Sequence, residues 1–351
     1  MAYSIKKTIT EKSAVGEVDF DNLSMGRRYT DHMFVADYEN GEWHNLRIEP
    51  LAPIATHPAT MALHYGQAIF EGMKATIGKD GKAVIFRPEQ NAKRFNLSAQ
   101  RIGMPTVPEE LFVQALKEFV SIENEWVPKA EGSALYLRPF MYADEHFIGM
   151  RAATSYKFII IASPAGKYFS KPIKLYAETK YVRAVNGGTG EAKVAGNYAA
   201  AILPTELAKQ KGYDQVLWLD PHNFEYVQEA GTMNIFFKIG GKFITPNLNG
   251  SILAGITRLS CIELLRDKGY EVEERPITIS EIMEASENGT LEEAFGAGTA
   301  VGIAMIAEIG YKDKTIIFPA ENPVATEVNN EMNAIKMGTA EDKFGWMVAA
   351  E

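Results

Sequence analysis

A lysine set among small residues is the first place in this sequence where chemistry shows. Lys193 stands within residues 186–200, NGGTGEAKVAGNYAA, behind Gly187, Gly188, Gly190 and Ala192 and ahead of Gly196; Tyr198 follows five residues on. Small residues let the backbone turn tightly and admit a close neighbour. One chemistry for such a lysine is a Schiff base with a carbonyl cofactor, after which the amine moves protons. That requires partial desolvation to depress the amine's pKa and a nearby hydroxyl to organise the imine. The plainer reading is a solvated lysine on a flexible loop. On this stretch alone the plainer reading stands ahead, and the rest of the chain reverses the order.

Other stretches offer matching chemistry. Glu229, in EYVQEAGTMN, closes a strand ahead of Ala230-Gly231-Thr232. A carboxylate there could keep a ring nitrogen protonated and make the ring an electron sink; a solvated strand-end glutamate is the alternative. Segment 252–258, ILAGITR, is a glycine turn feeding a helix, whose free N–H groups and dipole suit a phosphate. Thr257 can cap that helix or donate its hydroxyl. A second glycine turn, 295–302 (FGAGTAVG), exposes further N–H groups and Thr299. It is no dinucleotide fingerprint, because Gly302 falls one place late; Val194 after Lys193 likewise rules out a P-loop. Arg94 could clamp a phosphate as a bidentate cation or be an ordinary helix residue. The histidines show no metal-binding spacing, so no metal is expected.

The elements that must carry these residues read as strands mixed irregularly with helices. Strands are expected near 83–87, 134–143, 156–164, 173–179, 214–219, 224–230 and 234–246, the last folded at Gly240-Gly241. Helices are expected from Pro88, after a Thr106/Glu109 capping box, over 198–211 with a bend at Pro204, from Thr257, and from Ser280. A hairpin around Lys312-Asp313 ends the pattern. Such clustering favours two α+β or mixed α/β domains over one regular βαβ sheet. The boundaries expected are a small N-terminal domain at 1–167, a linker at 168–172 and a larger domain at 173–351.

Composition narrows the class. The chain has 351 residues, enough for about two domains. Its net charge of -9 argues against coating nucleic acid or anionic membrane. A single cysteine, Cys261, leaves no intrachain disulfide and suits a reducing compartment. No apolar run is long enough to span a bilayer, and the N-terminus lacks a targeting pattern. A cytoplasmic enzyme is the expectation.

The residues together resemble the branched-chain amino-acid aminotransferases, the longer branch of the fold-type IV pyridoxal-phosphate enzymes. The motifs carrying the resemblance are HYGQAIFEGMKA, RFNLSAQRI, YLRPF, GGTGEAKVAGNYA, QVLWLD, EAGTMNIFF, GITR and FGAGTA, in order from residue 30 to the last hairpin. The resemblance implies a two-domain mixed α/β fold, pyridoxal 5′-phosphate as cofactor, and a homodimer. It implies transfer of the amino group of L-leucine, L-isoleucine or L-valine to 2-oxoglutarate.

Placed on this sequence, the resemblance makes Lys193 the Schiff-base lysine and proton carrier, Tyr198 the donor to the cofactor's phenolic oxygen, and Glu229 the partner of its pyridine nitrogen. Arg94, the N–H groups of Ile256 and Thr257, the Thr257 hydroxyl and Thr299 would hold the phosphate, with Arg183 joining through water. Thr232 and the turn at Thr299-Ala300 would hold the substrate α-carboxylate. Phe70, Tyr136 and Tyr168, with Tyr29 from this chain or a partner subunit, would wall the side-chain pocket. Arg138, with the Tyr65 hydroxyl, would bind a distal carboxylate. One departure is plain: Val301 and Ala304 stand where animal members carry a redox-sensitive Cys-x-x-Cys. Two alternatives remain at this point: a D-amino-acid aminotransferase or aminodeoxychorismate-lyase-like enzyme of the same fold, and a non-covalent nucleotide-binding protein.

Overall fold

The computed structural model describes residues 2–166 and 171–350. The chain forms two compact units: Met1–Tyr168 with Lys193–Ala195 and Asn333–Glu351, and Phe169–Ala192 with Gly196–Met332. Each is built on a mostly antiparallel sheet, nine-stranded among the described residues.

The first unit contains β1 (Lys6–Lys7), β2 (His32–Glu39), β3 (Glu42–Pro50), β4 (Ala68–Phe70), β5 (Met73–Ile77), β6 (Ala83–Phe86), β7 (Ala134–Ala143) and β8 (Tyr156–Ala165). Its helices are α1 (Met61–Tyr65), α2 (Pro88–Arg101) and α3 (Glu109–Ile122). The long β7–β8 hairpin pairs from Ala134↔Ala165 to Ala143↔Tyr156 and forms the middle of the sheet. Apolar residues on α2 and α3 recur at helical spacing, and Phe95 and Phe112 pack their rings on Phe158 of β8. The core of this unit therefore lies between the helices and one face of the sheet, which leaves the other face of β7 for the side chains described below.

The second unit contains β9 (Ile173–Ala177), β10 (Gln215–Leu219), β11 (Val227–Ala230), β12 (Asn234–Ile239), β13 (Lys242–Thr245), β14 (Val272–Glu274), β15 (Leu291–Gly298), β16 (Gly302–Tyr311) and β17 (Lys314–Ile317). Helices α4 (Ala195–Gln210), α5 (Ile256–Asp267), α6 (Ile279–Glu287) and α7 (Pro323–Lys336) accompany them, and β18 (Met347–Ala349) follows α7. The sheet runs β11-β10-β9-β16-β15-β12-β13-β14, with β17 on β16. Gly240 and Gly241 both take positive φ, 57° and 83°, which the tight β12–β13 turn requires.

The structure corrects several expectations. The Thr106/Glu109 capping box does not form: Pro108 is the residue before α3, and no side chain caps it. Proline's fixed φ already suits a helix entry, so the start moves two residues past the threonine. Residues 295–298 are strand rather than turn, because Phe295 to Gly298 pair with Met305 to Gly302; the turn is only 299–301. Helix α7 and strand β18 follow the Lys312-Asp313 hairpin. Since β18 pairs with β6, and Trp346 packs edge-on against Phe86, residues 333–351 belong with the first unit and not with a 173–351 domain. The linker placed at 168–172 falls largely on 167–170, outside the described residues.

Helix α6 starts at a true side-chain cap, with Thr278 Oγ1 accepting the Glu281 N–H at 3.0 Å. Thr278→Ala should lower stability by about 1 kcal/mol, read as a smaller denaturant midpoint at unchanged slope.

Candidate active site

In the first unit the site is built on β4, β7 and one stripe of α2. Strand alternation sends Phe70 and Glu71 to opposite sides. Glu71 is fully buried, at 0% exposure. Its carboxylate takes Arg94 Nε at 2.8 Å and Nη2 at 2.7 Å, a fork-to-fork pair, with Asn91 Nδ2 at 2.6 Å and the Gly72 N–H at 3.2 Å. Asn91, Arg94 and Ser98 lie at spacings of three and four on α2, so they share one face. Ser98 Oγ completes that stripe by accepting the Lys193 N–H at 2.8 Å.

Lys193 is thus fixed by its backbone. Its carbonyl accepts the Phe70 N–H at 3.1 Å, and Val194 forms a bridge with Ile69. The side chain is half-buried, and Nζ stands 4.9 Å from the centre of the Phe70 ring. Arg138 packs on the same ring at 4.7 Å and donates from Nη2 to the Tyr136 hydroxyl at 3.2 Å. Arg138 Nε is buried and has no hydrogen-bond partner among the described residues. A small cavity of about 110 Å³ lies beside it, lined by Tyr29, Tyr136, Arg138, Ile161 and Ser163 among others. An aromatic wall with one under-satisfied guanidinium is suited to an apolar ligand that sometimes carries an anion.

In the second unit the site is a hairpin beside a helix start. Strands β11 and β12 are joined by a two-residue turn, Gly231-Thr232, closed by Ala230 N–H to Met233 O at 2.8 Å and the reciprocal bond at 2.9 Å. Gly231 takes φ of 59°, and the turn is tied down by Trp218 Nε1 donating to its carbonyl at 3.0 Å. Glu229, two residues earlier, is 2% exposed. One carboxylate oxygen accepts the Leu253 N–H at 2.6 Å; the other pairs with Arg183 Nε at 3.0 Å. Register Asn234↔Ala297 on β12–β15 sets exposed Thr232 beside the Thr299-Ala300 turn.

Helix α5 begins at Gly255, and no side chain caps it. A Cβ on Gly255 would collide with Asn234 Oδ1, so only glycine fits there, while Asn234 Nδ2 holds the Leu253 carbonyl at 2.9 Å. The N–H groups of Ile256 and Thr257 are consequently uncapped at the positive end of a twelve-residue helix. The glycine loop ahead of Lys193 is also fixed. Asn197 Nδ2 donates to the Thr189 and Ala192 carbonyls at 2.7 and 2.9 Å, and Gly190 is too close to the Ser251 carbonyl to bear a side chain. Tyr198 sits on the first turn of α4, half-buried.

The residues expected from sequence thus fall into two sets. The first unit brings together Lys193, Phe70, Tyr136, Arg138 and Tyr29. Arg94 is anchored nearby on Glu71. The second unit brings together Glu229, Thr232, Thr299 and Ala300, with Ile256 and Thr257 at the α5 start. One expectation changes: Thr257 is not the cap of α5, since Gly255 holds that place. The Arg183 guanidinium meets Glu229, the Ser251 carbonyl at 2.8 Å and the Gly190 carbonyl at 3.1 Å. Tyr65 is 41% exposed. Tyr168 lies outside the described residues. Glu71, Asn91, Ser98 and Asn197 escaped the sequence reading, although the Asn91/Arg94/Ser98 spacing on a helix was the available signal. No cluster of metal ligands occurs among the described residues.

Comparison with known proteins gives the family. Residues 68–309 match the family model described as amino-transferase class IV. A probable branched-chain-amino-acid aminotransferase of Staphylococcus epidermidis is 48% identical over 94% of this chain and 94% of its own length. This chain belongs to the class IV branched-chain-amino-acid aminotransferases. Branched-chain-amino-acid aminotransferase 2 of Bacillus subtilis is another such relative, 46% identical over 93% of this chain and 92% of its own. Among solved structures, the PLP-form (holo-form) of the branched-chain amino acid aminotransferase from Thermobaculum terrenum is similar, with a TM-score of 0.74 at 25% identity. The match covers 92% of this chain and 98% of that one. As a member of this aminotransferase family, the chain is a transaminase, with the mixed α/β fold of fold type IV.

Arg183→Met would leave the Glu229 carboxylate buried without its counter-charge. The variant should lose about 3–5 kcal/mol of stability in denaturant unfolding, and adding Glu229→Gln should recover part of that loss.

Proposed function

We propose that this transaminase uses pyridoxal 5′-phosphate to move the amino group of L-leucine, L-isoleucine or L-valine to 2-oxoglutarate, reversibly, as a cytoplasmic homodimer. The observation that carries the reading is the Phe70 ring, which holds Lys193 on one contact and Arg138 on another, 4.9 and 4.7 Å from its centre. A lysine beside an apolar wall that also holds one cation can serve both an aliphatic side chain and a distal carboxylate.

The donor set fits the cofactor. The uncapped start of α5, where only glycine fits at 255, suits a phosphate, and buried Glu229 suits a protonated ring nitrogen. When bound, the cofactor supplies an aldehyde that exchanges amines and a ring that withdraws electrons. Lys193 Nζ would hold the cofactor and move the proton at the substrate Cα. Glu229, paired with Arg183 and the Leu253 N–H, would meet the protonated ring nitrogen. Tyr198 donates to the phenolic oxygen. The N–H groups of Ile256 and Thr257, the Thr257 hydroxyl, Thr299 and Arg94 take the phosphate charge, with Glu71 aiming the Arg94 fork. Thr232 and the Thr299-Ala300 turn receive the α-carboxylate, which leaves Phe70, Tyr136 and Tyr29 for the side chain. Arg138 takes the distal carboxylate of glutamate or 2-oxoglutarate, the only substrates that carry one.

Two features support the remaining assignments. Leu63, Phe147, Ile148 and Met150 are exposed apolar residues of the first unit, Met150 at 90%, as an association surface would be. Cys261 is a buried thiol, and no helix among the described residues is long and apolar enough to cross a membrane.

The visible absorption spectrum of the purified protein tests the reading. L-leucine should convert the yellow form to the pyridoxamine form, and D-alanine should not. Lys193→Ala should lose the conversion while the protein stays folded. Conversion by D-alanine alone would move the chain to a D-amino-acid activity; a protein that stays colourless with pyridoxal phosphate would overturn the cofactor.

A further inference from the structure

Lys74 has no part in the roles above. It lies in β5 between Met73 and Ala75, both buried in the core, so strand alternation turns its side chain to the opposite face. Its partner across the ladder is Tyr136 of β7. Arg138, two residues along β7, shares the face of Tyr136. Gly72 stands next on that face of the chain, and a Cβ there would collide with the Tyr136 hydroxyl. The hydroxyl therefore leans over the glycine, where it accepts Arg138 Nη2 at 3.2 Å.

Lys74 and Arg138 thus lie on one face of the sheet, Lys74 opposite Tyr136 in the ladder and Arg138 next to it along β7. Among the described residues no hydrogen bond or ion pair reaches the Lys74 ammonium, and Arg138 Nε is unpartnered as well. The ionisable side chains on the β7 side of Lys74 are Tyr136 and Arg138, and neither is an anion. On the β6 side the Ala75↔Ile85 register brings Phe86 alongside, and the charge over that ring is another cation, Lys336 Nζ at 4.4 Å. Burial without a counter-charge pushes the Lys74 ammonium down to about 8. A buried ammonium without a partner is costly unless an anion arrives. The α-carboxylate common to all substrates is assigned elsewhere, at Thr232 and the 299–300 turn. The anion left over is the second carboxylate of a dicarboxylic substrate.

We propose that Lys74 is a specificity-determining residue, the second cation beside Arg138 for the distal carboxylate of glutamate and 2-oxoglutarate. This rests on the reading in the preceding subsection and deepens it. Leucine, isoleucine and valine place nothing charged at this position, and a lysine that sheds its proton readily does not oppose them. The sign with pH follows. The ammonium is present below about 8 and lost above it, so dicarboxylate binding is strongest on the acid side and weakens as pH rises through that value. Apolar substrates should show no such slope.

The test uses the holoenzyme and two unreactive probes, glutarate and 4-methylvalerate, titrated by calorimetry and by the change in cofactor absorbance. Lys74→Met keeps the stem and removes the charge; Lys74→Arg keeps the charge. Expected for Lys74→Met is a glutarate Kd raised about tenfold or more, the size of one lost charge-assisted hydrogen bond, with 4-methylvalerate within about twofold of wild type. Lys74→Arg should hold glutarate near the wild-type value. The rise of glutarate Kd above about pH 8 should be present in wild type and absent in Lys74→Met. Equal weakening of both probes, or no change in either, would overturn the role of Lys74 while L-leucine still converts the wild-type cofactor. If L-leucine fails to convert it, the underlying function falls and Lys74 with it.

Discussion

A carboxylate removed from water has to be neutralised where it stands, and this constraint organises both halves of the molecule. Glu71 and Glu229 are each almost wholly buried, and each is met by an arginine and by backbone N–H. Isolated burial of such an ion would cost far more than a fold can spare. The partners therefore have to arrive together, and their arrival fixes the backbone around them. Satisfying Glu71 sets the α2 stripe that also receives the Lys193 N–H. Satisfying Glu229 draws Arg183, the 251–253 segment and the β11–β12 turn into one arrangement. The reactive groups inherit their positions from the charges beneath them.

The two arginines show why residue type does not decide role. Arg94 and Arg183 both have forks suited to an anion. Each is engaged by a protein carboxylate, and Arg183 also gives two N–H groups to carbonyls. Arg138 is the contrasting case, because it leans on Phe70 and a phenol, and part of its donor capacity is unspent. Arg183, engaged by a carboxylate and two carbonyls, holds structure, whereas an under-paired arginine such as Arg138 is ready for a ligand.

Much of this could be read from the chain before folding, and what failed did so for physical reasons. Local signals carried far: Pro88 opening α2, the Gly240-Gly241 turn, the β7 and β8 runs, and the EAGTMN turn with its glutamate. The α5 start was legible as a glycine turn feeding a helix. Thr257 is not its cap because the helix starts at Gly255, packed against Asn234 from another strand. Pairing was the blind spot. Arg183 reaches Glu229 and Arg94 reaches Glu71 across tens of residues, and no period or spacing encodes that. Lys74 drew no reading from the sequence; the register alone sets it opposite Tyr136. Helix α7 and β18 escaped because their apolar residues are too sparse to announce themselves without the surface they cover.

Strand β18 has a consequence for the order in which the protein can be made. It forms the edge of the first sheet against β6, although more than two hundred residues of chain separate the two. While those residues are being synthesised, β6 presents an open row of amide and carbonyl groups next to freshly exposed apolar surface. Such an edge is a template for stray pairing with other nascent chains. The first unit cannot be finished first, as vectorial emergence from the ribosome would otherwise allow. Its completion waits for the second, and the interval between them is the stage at which a chaperone has something to protect.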